Sequence, residues 1–498
     1  MALNSLLPLW VLATSLVVAF VIFAIPEDRI KLRSFLNLSA AVIKLLLVMI
    51  MTWGVFQGVF YETRFEVAPG LVFSLKADPL SIVFAGLSSV LWLLTTIYAI
   101  GYLEESPNRS RFFGFFSFCV ASTLGIALAG NLFTFLLFYE MLTLSAYPLV
   151  VHRGTQAALK AGRIYLIYTL SGGALLMLGV VMMYLHFGDM PFVSEGHFQQ
   201  VSASEYPMLR LIFILLIAGL AVKAALVPLH GWLPSAMVAP APVSALLHAV
   251  AVVKAGVFGI VRVVYDIFGI EFSFALGVLV PLGWLAAATI LYGSIRALYQ
   301  TDLKRRLAFS TVSQVSYITL GIALFGPLGT IGAIVHLVHQ GIMKITLFFC
   351  AGNYAETLGI HRIDELNGVS KRMPWTSIAF TLGALGMIGL PPLAGFISKW
   401  YLGLGALEAQ MYWAVGVLVM STLLNAAYFL PILHRIWFRA PQAAWCNTPS
   451  LKRLECSWLL LAPPVVTAVL ILLLGVFASW PMSPFSWAVF MANKEYGL

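Results

Sequence analysis

The residues able to do chemistry in this sequence are one acid, Glu140, and four lysines, Lys223, Lys254, Lys344 and Lys399, each set inside a long apolar run. A charge at the centre of a bilayer costs roughly 3 kcal/mol on an insertion scale, so five such groups facing lipid would cost about 15 kcal/mol. Residues of this kind face a bundle interior or a water-filled path. Burial disfavours an ammonium and a nearby carboxylate favours it, so a lysine beside an acid can take up and release a proton. Glu140 is the one intramembrane acid, and Lys223 is its expected partner. The alternative is a fixed pair that only holds helices together.

Histidines extend the set. His248 precedes Lys254 by about 240° of helix, so the two share a face only if the helix is distorted. Pro240, Pro242 and Gly256 flank them. His248 is expected either to pass protons between Lys223 and Lys254 or to pack by hydrogen bonding. His336 and His339 lie on one helix face, with Lys344 about 80° from His336. Zinc would need further ligands with no evident supplier, and axial histidine pairing alone is unspecific for haem. The four cysteines, Cys119, Cys350, Cys446 and Cys456, form no metal spacing. No catalytic residue, metal or cofactor is expected.

Those residues require helices across a membrane. Of the 498 residues, 61% are hydrophobic and 10% charged, and the mean hydropathy is +0.95. Apolar runs of about 20 residues recur throughout, without the alternation of a membrane barrel. About fourteen spans result, and the N-terminal segment reads as a retained first span. Pro228 and Pro234 predict a break in the seventh, and Pro391 and Pro392 a break in the twelfth. Discontinuous helices of this kind sit where ions pass. His230, beside the first break, either caps freed carbonyls or carries protons.

The cores "VPLHGWL" at 227–233 and "PPLAGFI" at 391–397 match, a hint of a five-helix internal repeat. The implied organisation is one membrane domain: three N-terminal helices (1–111), a first repeat (112–268), a second (269–438), and a loop with a C-terminal helix (439–498).

With the N-terminus outside, the inner loops hold 19 basic residues, Lys452 and Arg453 among them, and the outer loops about five. This bias places both termini outside and accounts for the net charge of +9 without nucleic acid. Lys44 and Lys399 each have a second reading as lysines that snorkel to the interface, Lys399 beside Trp400 and Tyr401. For Lys44 that is the preferred reading.

The segments "FYEMLTLSAYPLV" at 138–150, "KAALVPLHGWLPSAMVAPAPVSALLHAVAVVKAGVF" at 223–258 and "LPPLAGFISKW" at 390–400 resemble the antiporter-like subunits shared by Mrp-type cation/proton antiporters and respiratory complex I. The resemblance implies an all-α fold of fourteen helices, two inverted five-helix repeats, discontinuous helices 7 and 12, and a hydrophilic axis at the midplane. It carries the family's functional positions onto Glu140, Lys223, His248, Lys254 and Lys399. Lysine at 399 departs from the middle complex I subunit, and the chain lacks a long lateral helix. It is most similar to the D-type Mrp subunit, which implies partners of the Mrp A, B, C, E, F and G types in a prokaryotic inner membrane.

The expected function is therefore proton and Na⁺ (or other monovalent cation) antiport as part of a multisubunit complex. A proton-pumping subunit of a redox complex, such as a complex I-like NADH-quinone oxidoreductase or membrane-bound hydrogenase, is the alternative. A structural subunit with a vestigial polar axis is the third reading.

Overall fold

The computed structural model describes residues 3–103, 106–441 and 455–497; Cys446, Lys452 and Arg453 lie outside them. In chain order the helices begin with α1 (Leu3–Ala24) and α2 (Ile30–Phe56), then α3 (Pro79–Tyr102), α4 (Arg109–Leu128), α5 (Leu132–Val150), α6 (Gln156–Phe187) and α7 (Tyr206–Ala224). The short α8 (Trp232–Ser235) precedes α9 (Ala241–Ala249), α10 (Val252–Arg262) and α11 (Ile270–Ala275). The rest are α12 (Leu279–Leu298), α13 (Leu303–Ala323), α14 (Pro327–Leu358), α15 (Pro374–Ile388), α16 (Ala394–Glu408), α17 (Tyr412–Phe438), α18 (Trp458–Val476) and α19 (Pro484–Glu495).

Twelve helical spans among the described residues are long and apolar enough to cross a membrane. The polar α13 and the interrupted pair α15–α16 complete the fourteen segments expected. One unexpected element is a hairpin of β1 (Tyr61–Ala68) and β2 (Leu71–Ala77), antiparallel, in the connection before α3. Its signal is the alternation around Pro69-Gly70, where Gly70 has φ +77°. The amphipathic α19 folds back onto the bundle, and the Tyr496 hydroxyl accepts from the Gly326 amide at 3.0 Å.

The architecture is organised around α14. Every residue from Gly329 to Tyr354 is buried, so this helix has no lipid face and its polar side chains must find partners inside. By contrast α1, α2, α6 and α17 present large apolar side chains outward, among them Phe20, Phe35, Leu185 and Leu423, as lipid contact requires.

Two corrections concern the helix ends. α2 begins at Ile30 rather than near residue 38, which brings Arg33 inside the fold, 1% exposed and bonded to Ser110. Pro234 does not break its helix. It sits within α8, in a first turn where the missing N–H has no intrahelical acceptor to lose.

The connections before α5 and α13 repeat one another. Asn131 caps α5 through the Thr134 amide and Asp302 caps α13 through the Arg305 amide. Leu132 N donates to Met190 O and Phe192 N to Gly130 O, while Leu303 N donates to His361 O and Ile363 N to Thr301 O. A single constant offset in residue number relates the two sets.

Candidate functional site

Helix α7 stops at Ala224 because Ala225 turns left-handed (φ 57°) and the Leu226 amide reaches back to Ala221 O at 3.0 Å. α15 stops in the same way, at Gly389 (φ 97°), with the Leu390 amide on Leu385 O at 3.2 Å. Pro228, Pro391 and Pro392 lie in the tight turns that follow, closed by the Leu229 amide on Leu226 O and by the Leu393 amide on Leu390 O, the latter at 3.0 Å. A carbonyl freed at the first break accepts from the Trp232 indole at 2.7 Å. Those at the second, Met387 O and Ile388 O, accept from the Lys399 ammonium at 2.9 and 2.8 Å. Lys399 is thus turned inward onto the break and does not snorkel.

Lys223 occupies the last turn of α7. Its ammonium lies 3.3 Å from the centre of the Tyr139 ring and donates to the Tyr139 carbonyl. The Tyr139 hydroxyl in turn donates to Gly219 O at 3.1 Å. Glu140 interacts electrostatically with Lys223, yet the two do not close to the 4.0 Å of an ion pair. One carboxylate oxygen, Oε1, has no hydrogen-bond partner and lies against Gly173 of α6, where a Cβ would stand 2.1 Å from it. The expected pair is therefore open, with Tyr139 holding the lysine.

The eighth span is interrupted at Val250–Ala251, between His248 and Lys254. Pro240 and Pro242 are at the start of α9 and do not cause this interruption; the Ala249 carbonyl there packs against Gly341 of α14. Beyond it Lys254 donates to Leu337 O of α14 at 2.7 Å. His248 does not stand between Lys223 and Lys254. Its ring lies 4.7 Å from that of Phe348, both of its nitrogens are buried without a hydrogen-bond partner, and its charged neighbours are Lys344 and Lys304.

On α14 the two histidines do share a face, and both reach α16. His336 Nδ1 is 2.9 Å from Ser398 Oγ and its Nε2 3.1 Å from Gln314 O, while His339 Nδ1 is 2.7 Å from Ala394 O. Lys344 turns to α13, donating to Leu307 O at 3.2 Å and to Ser310 Oγ. Electrostatic contacts join Lys344 to Lys254, and His336 to both Lys254 and Lys399. The eight residues form two groups: Glu140 with Lys223, and Lys254, Lys344, His248, His336, His339 and Lys399 around α14. The groups meet where Gly256 of α10 packs on the end of α7, a Cβ there falling 2.2 Å from the Ala224 amide.

This is a line of amines, imidazoles and one acid across the middle of an apolar bundle. Buried polar atoms such as those of His248 require water where protein supplies no partner. Amines, imidazoles and carboxylates are groups that take up and release protons. The sequence matches the family described as "NADH:quinone oxidoreductase/Mrp antiporter, TM" over residues 129–425. The chain belongs to that family. Residues 69–113 also match "NADH-Ubiquinone oxidoreductase (complex I), chain 5 N-terminus".

Among the family's members, NADH-quinone oxidoreductase subunit N of Desulforudis audaxviator is 37% identical over 417 residues, 81% of this chain and 82% of that one. The D-type subunit of the Na(+)/H(+) antiporter of Bacillus subtilis is 27% identical over 413 residues, 82% of this chain and 81% of that one. A chain in the structure of the Mrp complex from Dietzia sp. DQ12-45-1b superposes with a TM-score of 0.88 at 26% identity, covering 99% and 98% of the two chains. Other relatives are longer, and this chain spans about half of their length. It is a multi-pass, antiporter-like membrane subunit.

Sequence reasoning missed two participants and misplaced a third residue. Tyr139 was hidden as an ordinary aromatic before Glu140. Lys304, counted with the basic loops, donates to Ala239 O at 2.6 Å and lies near His248. Lys44 does not snorkel: it is fully buried, with Nζ 4.0 Å from the centre of the Trp92 ring.

Proposed function

We propose that this chain is the proton-conducting subunit of a multisubunit monovalent cation/proton antiporter, with Na⁺ as the exchanged cation. The observation that carries this reading is the line of buried Lys254, Lys344, His248 and His336 with the half-buried Lys399, which ends on the carbonyls of a broken helix. In it Lys223 exchanges a proton when it leaves Tyr139 for Glu140. Lys254 and Lys344 hold the next proton positions, His248 relays between Lys304 and Lys344, His336 relays between Lys254 and Lys399, His339 anchors the second break, and Lys399 is the outer terminus. Lys304 supplies cytoplasmic access to His248.

The repeated hydrogen bonds before α5 and α13 support the division into 1–111, 112–268, 269–438 and 439–498. The basic loops support a cytoplasmic placement for that face, in a prokaryotic inner membrane with both termini outside. Partners are then the remaining Mrp-type subunits.

The 37% identity to an NADH-quinone oxidoreductase subunit favours a second reading, in which the same path is driven by electron transfer elsewhere in a redox complex. Proton flux in vesicles bearing the whole encoded complex, with Na⁺, K⁺ or Li⁺ varied and electron donor withheld, separates them. Flux driven by sodium alone supports the antiporter; flux only with an electron donor supports the redox subunit. Full flux in Glu140→Ala and Lys223→Ala complexes would refute conduction through this axis and leave a structural subunit.

A further inference from the structure

We propose that Lys44 is a second protonatable site, reached from the basic face along a buried seam between α2, α3 and α4 and joined to Lys254 through α3. This rests on the proton-conducting function proposed above.

The seam begins at Glu27, whose carboxylate accepts from the amides of Arg109 and Ser110, both at 2.9 Å, and lies 4.0 Å from the Arg33 guanidinium. Arg33, Asn37 and Lys44 follow one face of α2, being spaced by four and seven residues. All three are buried, although this helix otherwise shows lipid Phe35, Ile43, Leu46 and Ile50. Arg33 donates to Ser110 Oγ at 2.7 Å, and one turn further Ser117 Oγ donates to Asn37 Oδ1 at 3.3 Å. Only the small Ala40 and Ala41 separate Asn37 from Lys44 on that face.

At the end of this line the Lys44 ammonium has no hydrogen-bond partner and rests on the Trp92 ring. A cation–π contact returns less than the desolvation of an ammonium costs, and it leaves N–H groups unsatisfied. A purely structural lysine has no reason to stand here. A lysine that gains and loses a proton through water does.

The way onward is polar too. Ser88 and Ser89, one turn from Trp92, have buried hydroxyls without partners. Their neighbour Leu87 packs on Gly341 of α14, where a Cβ would lie 3.2 Å from it. The residue before that glycine, Gln340, has a buried amide without a hydrogen-bond partner, and one turn earlier Leu337 O accepts from Lys254. Hydroxyl and amide groups at these spacings hold the waters a proton relay needs.

The test uses inverted vesicles carrying the whole complex, with Na⁺-driven proton flux as the readout. Lys44→Met and, independently, Asn37→Leu are each expected to lower the flux at least fivefold. In a variant whose four native cysteines are serine, Lys44→Cys is expected to react with a small cationic methanethiosulfonate added on the basic-face side. Full flux in both Lys44→Met and Asn37→Leu, or an unreactive Lys44→Cys, overturns the branch. If Lys44→Met does not assemble, Asn37→Leu and the labelling decide. Full flux in Lys223→Met would instead overturn the axis itself, which distinguishes the two failures.

Discussion

The carboxylate of Glu140 rests directly on the backbone of Gly173: a Cβ at that position would lie 2.1 Å from Oε1 and 2.7 Å from the carboxyl carbon. Side-chain contact of that kind excludes any larger residue without displacing the acid. The absence of a side chain at Gly173 is therefore what lets the carboxylate sit against α6.

The first prediction follows from this contact. Gly173→Ala should destabilise the chain by about 1–3 kcal/mol, the usual range for overpacking. It should also impair cation-dependent proton flux by displacing the Glu140 carboxylate. Combining it with Glu140→Ala should recover the stability and not the flux. Thermal unfolding of the purified complex and flux in vesicles measure the two effects separately.

Lys399 both caps the second break and ends the proposed path. Lys399→Met should leave Ile388 O without its donor and Met387 O with only Asn425 Nδ2 at 3.4 Å, at a cost of about 1–2 kcal/mol given how weak such bonds are inside membranes. Lys399→Gln, which keeps N–H donors and loses the proton site, should restore most of the melting temperature while proton flux stays low. Equal recovery of both quantities would mean that the residue acts only as a cap.

Glu495, at the end of α19 and outside the spans, has its carboxyl pushed up to about 8, first by burial and then by the Asp266 carboxylate. Its ordinary value is about 4.3, so the folded state binds the extra proton between those limits. Docking of α19 is then favoured at low pH, weakens as pH rises from about 4.3 to about 8, and levels off above that. Comparing Glu495→Gln with the natural chain at each pH, limited proteolysis within 484–495 should rise from pH 6 to 9 in the natural chain alone. A rise of equal size in both would exclude this carboxyl as the cause.

Much of this protein is legible from its residues because lipid imposes a simple rule. Backbone groups in hydrocarbon must bond within their own segment, so spans are helices, and a proline or glycine pair within one marks a break. The breaks after Ala224 and Ile388 and the shared face of His336 and His339 followed from that. Pro234 misled because a proline tolerated in a first turn looks, in sequence, like one that breaks a helix. The β-hairpin before α3 was overlooked because its alternation lies in a connection, where no membrane rule applies.

The sequence by itself determined which charges have no topological use, since that needs only hydropathy and a count of basic loops. Partners were decided by the tertiary structure alone. Lys223 binds Tyr139 although Glu140 is the next residue, His248 faces α14 because the eighth helix is interrupted beside it, and Lys44 lies on Trp92 beneath a lipid-facing surface. The physical reason is that helical spacing fixes direction only about one axis. Whether two polar groups meet depends on how separate helices pack, and residues distant in sequence set that.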